Sequence, residues 1–133
     1  MLVLIARQAQ RKGARITLLR ATDRVRAALT KRPRFADRVF TEEERRYCFS
    51  RPNPAQHFAA RFAGKEAVGK AIGCGVEFMW RDIEIAGRPK PSVTLSGKVA
   101  ELAERFGAGE IDLSMTHSKG MAAAVAIVQP RAS

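Results

Sequence analysis

Cysteine is scarce in this sequence, two residues in 133, and so are other common makers of sites: two histidines, one tryptophan and one tyrosine. Cys48 and Cys74 make neither a disulfide framework nor a metal ligand set, and they read as two unpaired thiols in a reducing compartment. With no His/Cys cluster and no nucleophile elbow, zinc chemistry and triad hydrolysis lack support. A Gly-rich phosphate loop is missing too, since Gly73, Cys74 and Gly75 have neither the P-loop nor the dinucleotide spacing. The apolar start, Met1 to Ala6, is too short for a membrane span or a secretory core, and Arg7 follows at once. The chain therefore reads as soluble and cytoplasmic, without a membrane partner. No repeat, low-complexity tract or Gly/Ser linker divides it, and 10 glycines and 6 prolines suit one compact domain spanning residues 1–133.

Acidic residues are thinnest at the start. Residues 1–40 carry 11 Lys/Arg against 2 Asp, whereas residues 41–133 carry 13 against 11, so most of the net charge of +11 sits in the N-terminal third. An acidic partner is expected to meet that third, where Arg24, Arg26, Lys31, Arg32, Arg34 and Arg38 surround one predicted helix and its exit. Base-stacking aromatics are scarce there, because Phe35 and Phe40 lie in an apolar stretch that reads as core. An acidic protein is thus the better expectation than nucleic acid, and solvated charge is the plain alternative.

The pattern predicts short strands at 2–5 and 16–19 around a polar, basic segment, then a helix from Thr22 or Asp23 that Pro33 ends. Thr41 to Glu44 form a capping box for a helix running to about Phe49. The longest helix covers 55–73, closed by Gly73. Strands follow at 76–78, 82–85 and 92–95, then a helix capped by Ser96 with Val99, Leu102, Ala103 and Phe106 on its apolar face. Strands at 111–116 and 121–128 make an antiparallel hairpin. Helices interleaved with hairpin-connected strands point to an α+β domain.

On the longest helix, Phe58, Phe62, Glu66 and Lys70 recur every four residues, so two charges continue a stripe begun by two aromatics. The ordinary reading is an i,i+4 pair on a half-exposed face. The sharper one makes Glu66 a ligand for a hard cation, with Arg61, Lys65 and Lys70 holding phosphate oxygens, a grouping suited to phosphoryl-type chemistry. His117, at a strand end, reads first as a polar turn residue. His57, near a helix start, has a weaker case.

The run Phe62-Ala-Gly-Lys-Glu-Ala-Val-Gly-Lys70 resembles the aromatic-x-x-Lys-Glu-Ala-x-x-Lys signature of the 4′-phosphopantetheinyl transferases. Residues 34–44, 80–85, 87–89, and 113–117 followed by 122–127 are similar in order and spacing to its small holo-acyl-carrier-protein synthase branch, so that the resemblance covers Asp23 to Val128. It implies the family's α+β fold, an antiparallel sheet packed with helices, in a homotrimer that binds coenzyme A between neighbouring subunits. It further implies Mg²⁺ on the diphosphate and transfer of the phosphopantetheine arm to a serine of an apo acyl carrier protein, free or within a fatty-acid or polyketide synthase. Under this resemblance Glu66 is the metal ligand and acts with Lys70 in catalysis. Arg61, Lys65, Lys70 and His117 contact the coenzyme A phosphates, and Arg24, Lys31 and Arg34 dock the acidic carrier.

One departure stands out. The family's first strand ends in Gly-x-Asp, whose Asp is a second metal ligand six residues before the helix's first Arg. That count lands on Leu18, no carboxylate occurs from Met1 to Thr22, and residues 1–21 form a divergent segment. An altered or misassigned N-terminus, a lineage that binds Mg²⁺ through Glu66, waters and diphosphate alone, and loss of catalysis each account for it. The expectation is an enzyme of weakened activity, with a non-enzymatic basic module for nucleic acid or an acidic protein as the alternative.

Overall fold

The computed structural model describes residues 9–11, 14–21, 24–73, 79–87, 90–118 and 121–131. The strands expected at 2–5 and 76–78, the cap at Thr22 or Asp23, and Cys74 lie outside the described residues.

Helix α4, Pro54–Ile72, organises the rest. Proline at its first turn needs no hydrogen-bond partner for a missing N–H, and Gly73, with φ at 107°, supplies the left-handed C-cap. Between these ends the helix is buried on nearly every face, with Phe58, Phe62, Ala63, Ala67, Val68, Ala71 and Ile72 in the core. A helix buried all round must be covered on several sides. One cover is an antiparallel four-stranded sheet in the order β1-β2-β6-β5, made of β1 (Ala9–Arg11), β2 (Ala14–Ala21), β5 (Ala108–Ser118) and β6 (Met121–Pro130). On β6, Ala122, Ala124, Ala126 and Val128 are buried while the residues between them are half-buried, the period-2 pattern of a sheet with one packed face. A smaller sheet pairs β3 (Ile83–Ala86) with β4 (Ser92–Leu95). Gly64 is where α4 meets both sheets: a Cβ there would lie 2.7 Å from Ile85 Cδ1 and 3.1 Å from Met115 Sδ.

The remaining helices cover α4 from the other side. Helix α1 is Arg24–Lys31, and α3 is Glu42–Phe49, opened by the expected capping box: Glu44 N–H donates to Thr41 Oγ1 (3.3 Å) and Thr41 N–H to Glu44 Oε1 (2.8 Å). Between them Phe35–Val39 forms a further short helix, α2, where only an apolar stretch was expected. Arg34 precedes it without a side-chain cap, so it carries no start signal in the sequence. Within 7–15, read as polar and basic, lie β1 and the beginning of β2. Helix α5 is Gly97–Arg105, and here the expected cap is corrected. Ser96 makes no side-chain cap bond; instead Asp82, in a 3₁₀ turn at Trp80–Asp82, accepts from Val99 N–H at 3.3 Å. Gly97 lies so near that carboxylate that a Cβ would meet it at 2.8 Å. Phe106, expected on the apolar face, falls just past the helix and is 46% exposed.

The outcome is a mixed fold of helices and antiparallel sheet, as the interleaved pattern predicted. Among the described residues no helix is long and apolar enough to cross a membrane.

Candidate active site

Along α4 the four-residue stripe runs from buried Phe58 and Phe62 to half-buried Glu66 and Lys70. The two charges thus emerge toward solvent beyond the two aromatics, one turn apart on one row. Lys65 does not join them. It is completely buried, and its Nζ forms a 2.7 Å ion pair with the equally buried Glu44. It also donates to the carbonyl oxygens of Trp80, at 2.9 Å, and Ile83. All three ammonium protons are spent inside the protein, so the expectation that Lys65 contacts coenzyme A phosphates is corrected. Burial pulls this ammonium below its usual range, against the opposing pull of Glu44. Sequence spacing showed two lysines five apart but not that one of them faces β3.

The N-terminal half of α4 borders a cluster that the sequence reading saw only in part. Arg61 is 5% exposed, and its guanidinium carbon stands 4.2 Å from the centre of the Tyr47 ring. Its Nε has no hydrogen-bond partner, and among the described residues no carboxylate forms an ion pair with it. Arg51 lies over the same ring at 5.8 Å and also buries an Nε without a partner. Tyr47 packs edge-on to His57 at 5.7 Å, and His57 packs edge-on to His117 at 5.0 Å. Residues from α3, the loop after it, α4 and the end of β5 so bring two guanidinium groups and His57 against one phenol, with His117 beyond His57. Two guanidinium groups gathered with no paired carboxylate among the described residues suit a phosphate-bearing ligand, for which arginine's planar fork is well shaped.

Tyr47 and Arg51 were not singled out in the sequence, and His57 was given only a weak case. Part of their signal is spacing: His57 and Arg61 are four apart on α4 and share a side, whereas Arg51 follows α3 in the loop and its approach to Tyr47 is set by the fold. The cluster also borders Cys48, whose thiol burial pushes up to about 12 although Arg61 pulls it down. That thiol is structural rather than reactive.

The basic N-terminal region is exposed as expected at Arg24, Lys31 and Arg34. Arg24, Lys31 and Arg32 rim a cavity of about 420 Å³ whose walls include Val25, Phe35 and Phe62. It adjoins a groove of about 1220 Å³ where Arg34, Arg38 and Arg81 flank Trp80, with Asp37 the one carboxylate among the described lining residues. Trp80 stacks on Phe62 at 4.8 Å, giving this cationic surface an apolar floor. Leu18 lies within β2, its backbone in register with Val125, and no carboxylate occurs on that strand.

Comparison with known proteins agrees with this geometry. Residues 20–126 match the profile of the 4′-phosphopantetheinyl transferase superfamily. A holo-[acyl-carrier-protein] synthase of Caldanaerobacter subterraneus subsp. tengcongensis is 43% identical over 108 residues, which cover 79% of this chain and 85% of that one. The crystal structure of the holo-[acyl-carrier-protein] synthase from Neisseria meningitidis superposes with a TM-score of 0.75 at 27% identity, covering 86% of this chain and 96% of that one. The Helicobacter pylori enzyme in complex with coenzyme A gives a TM-score of 0.70 at 28% identity, covering 86% and 99%. With the profile spanning most of its length and its fold shared with these enzymes, the chain belongs to the 4′-phosphopantetheinyl transferase superfamily.

Proposed function

We propose that this enzyme transfers the 4′-phosphopantetheine arm of coenzyme A to a serine hydroxyl of an apo acyl carrier protein. The observation that carries the reading is Arg61, a nearly buried guanidinium that pairs with no carboxylate among the described residues, set beside Arg51, His57 and His117. Such a group is stabilised when a phosphate supplies the missing charge, and coenzyme A is held by the Helicobacter pylori relative. The reading assigns its phosphates to Arg61, His117 and Lys70.

Glu66 is the carboxylate this reading offers to Mg²⁺. Among the described residues no three His, Cys, Asp or Glu side chains gather into a metal site. Mg²⁺ commonly keeps several waters and takes only one or two carboxylates plus substrate phosphates, so the donor set fits a cation shared with the diphosphate. Bound on Glu66, Mg²⁺ would supply charge neutralisation at the diphosphate. Lys70, one turn on, holds a diphosphate oxygen or helps the proton transfer, in which the serine hydroxyl gives its proton to a solvent water as its oxygen bonds to the phosphorus next to the pantetheine arm. The bond from that phosphorus to the bridging oxygen breaks, and the nucleotide part leaves. With Glu66 the carboxylate it offers, the reading keeps the expectation of weakened activity, needing more Mg²⁺ than a two-carboxylate site would.

The carrier meets the surface of Arg24, Lys31 and Arg34, where exposed cations surround an apolar cavity suited to an acidic helix with one protruding apolar side chain. A homotrimer in the cytoplasm, serving fatty-acid or related synthesis, completes the reading. Incubation of the purified chain with coenzyme A, Mg²⁺ and apo carrier protein tests it: the carrier gains the mass of the arm. If no carrier from the same organism gains mass, the transfer reading is wrong. Steeply salt-dependent binding to generic duplex, with no thermal shift from coenzyme A, would instead support the basic-module alternative.

A further inference from the structure

Resting on that reading, we propose that the buried Glu44–Lys65 pair is the positioning element of the transfer site, fixing the rotation of α4 so that Glu66 and Lys70 are presented to the diphosphate. The pair is tied down completely. Lys65 Nζ reaches Glu44 Oε1 at 2.7 Å, the Trp80 carbonyl at 2.9 Å and the Ile83 carbonyl. Glu44 Oε1 also accepts from Thr41 N–H at 2.8 Å, and Oε2 from Ile85 N–H at 2.9 Å. These bonds join α4 to the start of α3, to the 3₁₀ turn and to β3. Gly64, the preceding residue, presses on Ile85 so closely that even a Cβ would sit 2.7 Å from Cδ1.

Successive helix residues lie about 100° apart around the axis, so an anchor at 65 dictates the direction of 66. Gly64 and Lys65 fix α4 by shape and by bonds immediately before the candidate ligand. Stability alone does not account for this choice. A buried ion pair commonly gains little over apolar side chains of similar size, and most of the inward positions of α4 are apolar or small. What the pair adds is direction: five bonds of fixed geometry permit one rotation, whereas an apolar contact tolerates several. Displacing a reacting group by about 1 Å can cost roughly 100-fold in rate. Neither Lys65 nor Glu44 reaches solvent, so their effect on the reaction passes through Glu66 and Lys70.

The test uses the full chain carrying Glu44→Gln together with Lys65→Met, which removes both charges and keeps the side-chain sizes. Thermal unfolding should show a folded protein of similar Tm. The expected loss is at least ~10-fold in kcat, with a smaller rise in KM for coenzyme A, because Arg61 is also held by the Tyr47 ring on α3 and His117 stands on β5. Calorimetric titration of Mg²⁺ into the coenzyme A complex should weaken, and the Mg²⁺ concentration for half-maximal rate should rise. A folded double variant with wild-type kcat and Mg²⁺ dependence overturns the proposal, as does an equal change in kcat and KM. If the double variant does not fold, Glu44→Gln alone, which keeps an acceptor oxygen, must show the same split between kcat and KM; its absence also overturns the proposal. Absence of transfer by the wild-type chain would refute the underlying function, whereas a fully active variant beside an active wild type refutes only the positioning role.

Discussion

Arg61 rests its guanidinium 4.2 Å from the centre of the Tyr47 ring, nearly sealed from water, with an Nε that no acceptor satisfies. A cation held this way depends on aromatic attraction and on whatever anion enters, and that dependence can be measured. In Arg61→Met, loss of the cation–π contact, about 1 kcal/mol, is offset by removal of a poorly solvated charge, so the free protein keeps its Tm within a few degrees. Coenzyme A should bind more weakly by about 2 kcal/mol or more, roughly 30-fold in KM. An unchanged rise in Tm on adding coenzyme A to the variant would remove Arg61 from the ligand site.

Much of this arrangement was legible in residue order. The Thr41–Glu44 capping box, the Gly73 stop and the β5–β6 hairpin are local signals, and each is found where local chemistry placed it. What the sequence hid is pairing at long separation. Lys65 and Lys70 look alike on paper, and only the fold shows that Glu44, 21 residues earlier, neutralises one of them. The same holds for Asp82, which serves α5 in place of the adjacent Ser96, and for His57 and His117, which meet because α4 lies on the sheet. The stripe from Phe58 to Lys70 was visible because 3.6-residue periodicity is written into the sequence.

Glu66→Gln separates a working cation site from a relic. The substitution keeps shape and removes the charge offered to Mg²⁺ at the diphosphate, so turnover should drop by at least about 100-fold, the scale of losing one preorganised electrostatic group. Because Glu66 is half-buried at the end of the stripe rather than in the core, Tm should move little. Normal turnover in this variant, measured as mass transfer to the carrier, would end the assignment of Glu66 to the metal.

Reversal of charge at Arg24 and Arg34 addresses the partner surface. Both side chains are exposed, Arg24 at the rim of the apolar cavity and Arg34 in the adjoining groove, so Arg24→Glu with Arg34→Glu should raise KM for the carrier and leave coenzyme A binding nearly unchanged. Exposed charges steer association and are screened by salt, so the difference from wild type should shrink between low and about 0.5 M ionic strength. Equal losses for both substrates, insensitive to salt, would mean that α1 supports the fold rather than the docking.

Cys48 gives the pH dependence its sign. Its folded value lies near 12, above the ordinary 9.0 of the unfolded chain, because burial disfavours the thiolate. Above pH 9 the unfolded state therefore releases a proton that the folded state keeps, and the stability this group contributes is lost progressively between pH 9 and 12, by up to about 1.4 kcal/mol per pH unit. Lys65 acts in the opposite sense: its depressed ammonium favours folding as pH climbs toward 10.5. The two overlap, so the measurement is the difference between wild type and Cys48→Ala. Below pH 9 the variant is the less stable of the two, because a buried side chain has been trimmed. Above pH 9 the gap should narrow as only the wild type bears the thiol's cost. Parallel stability curves across that window would show that Cys48 ionises as readily folded as unfolded, which its complete burial forbids.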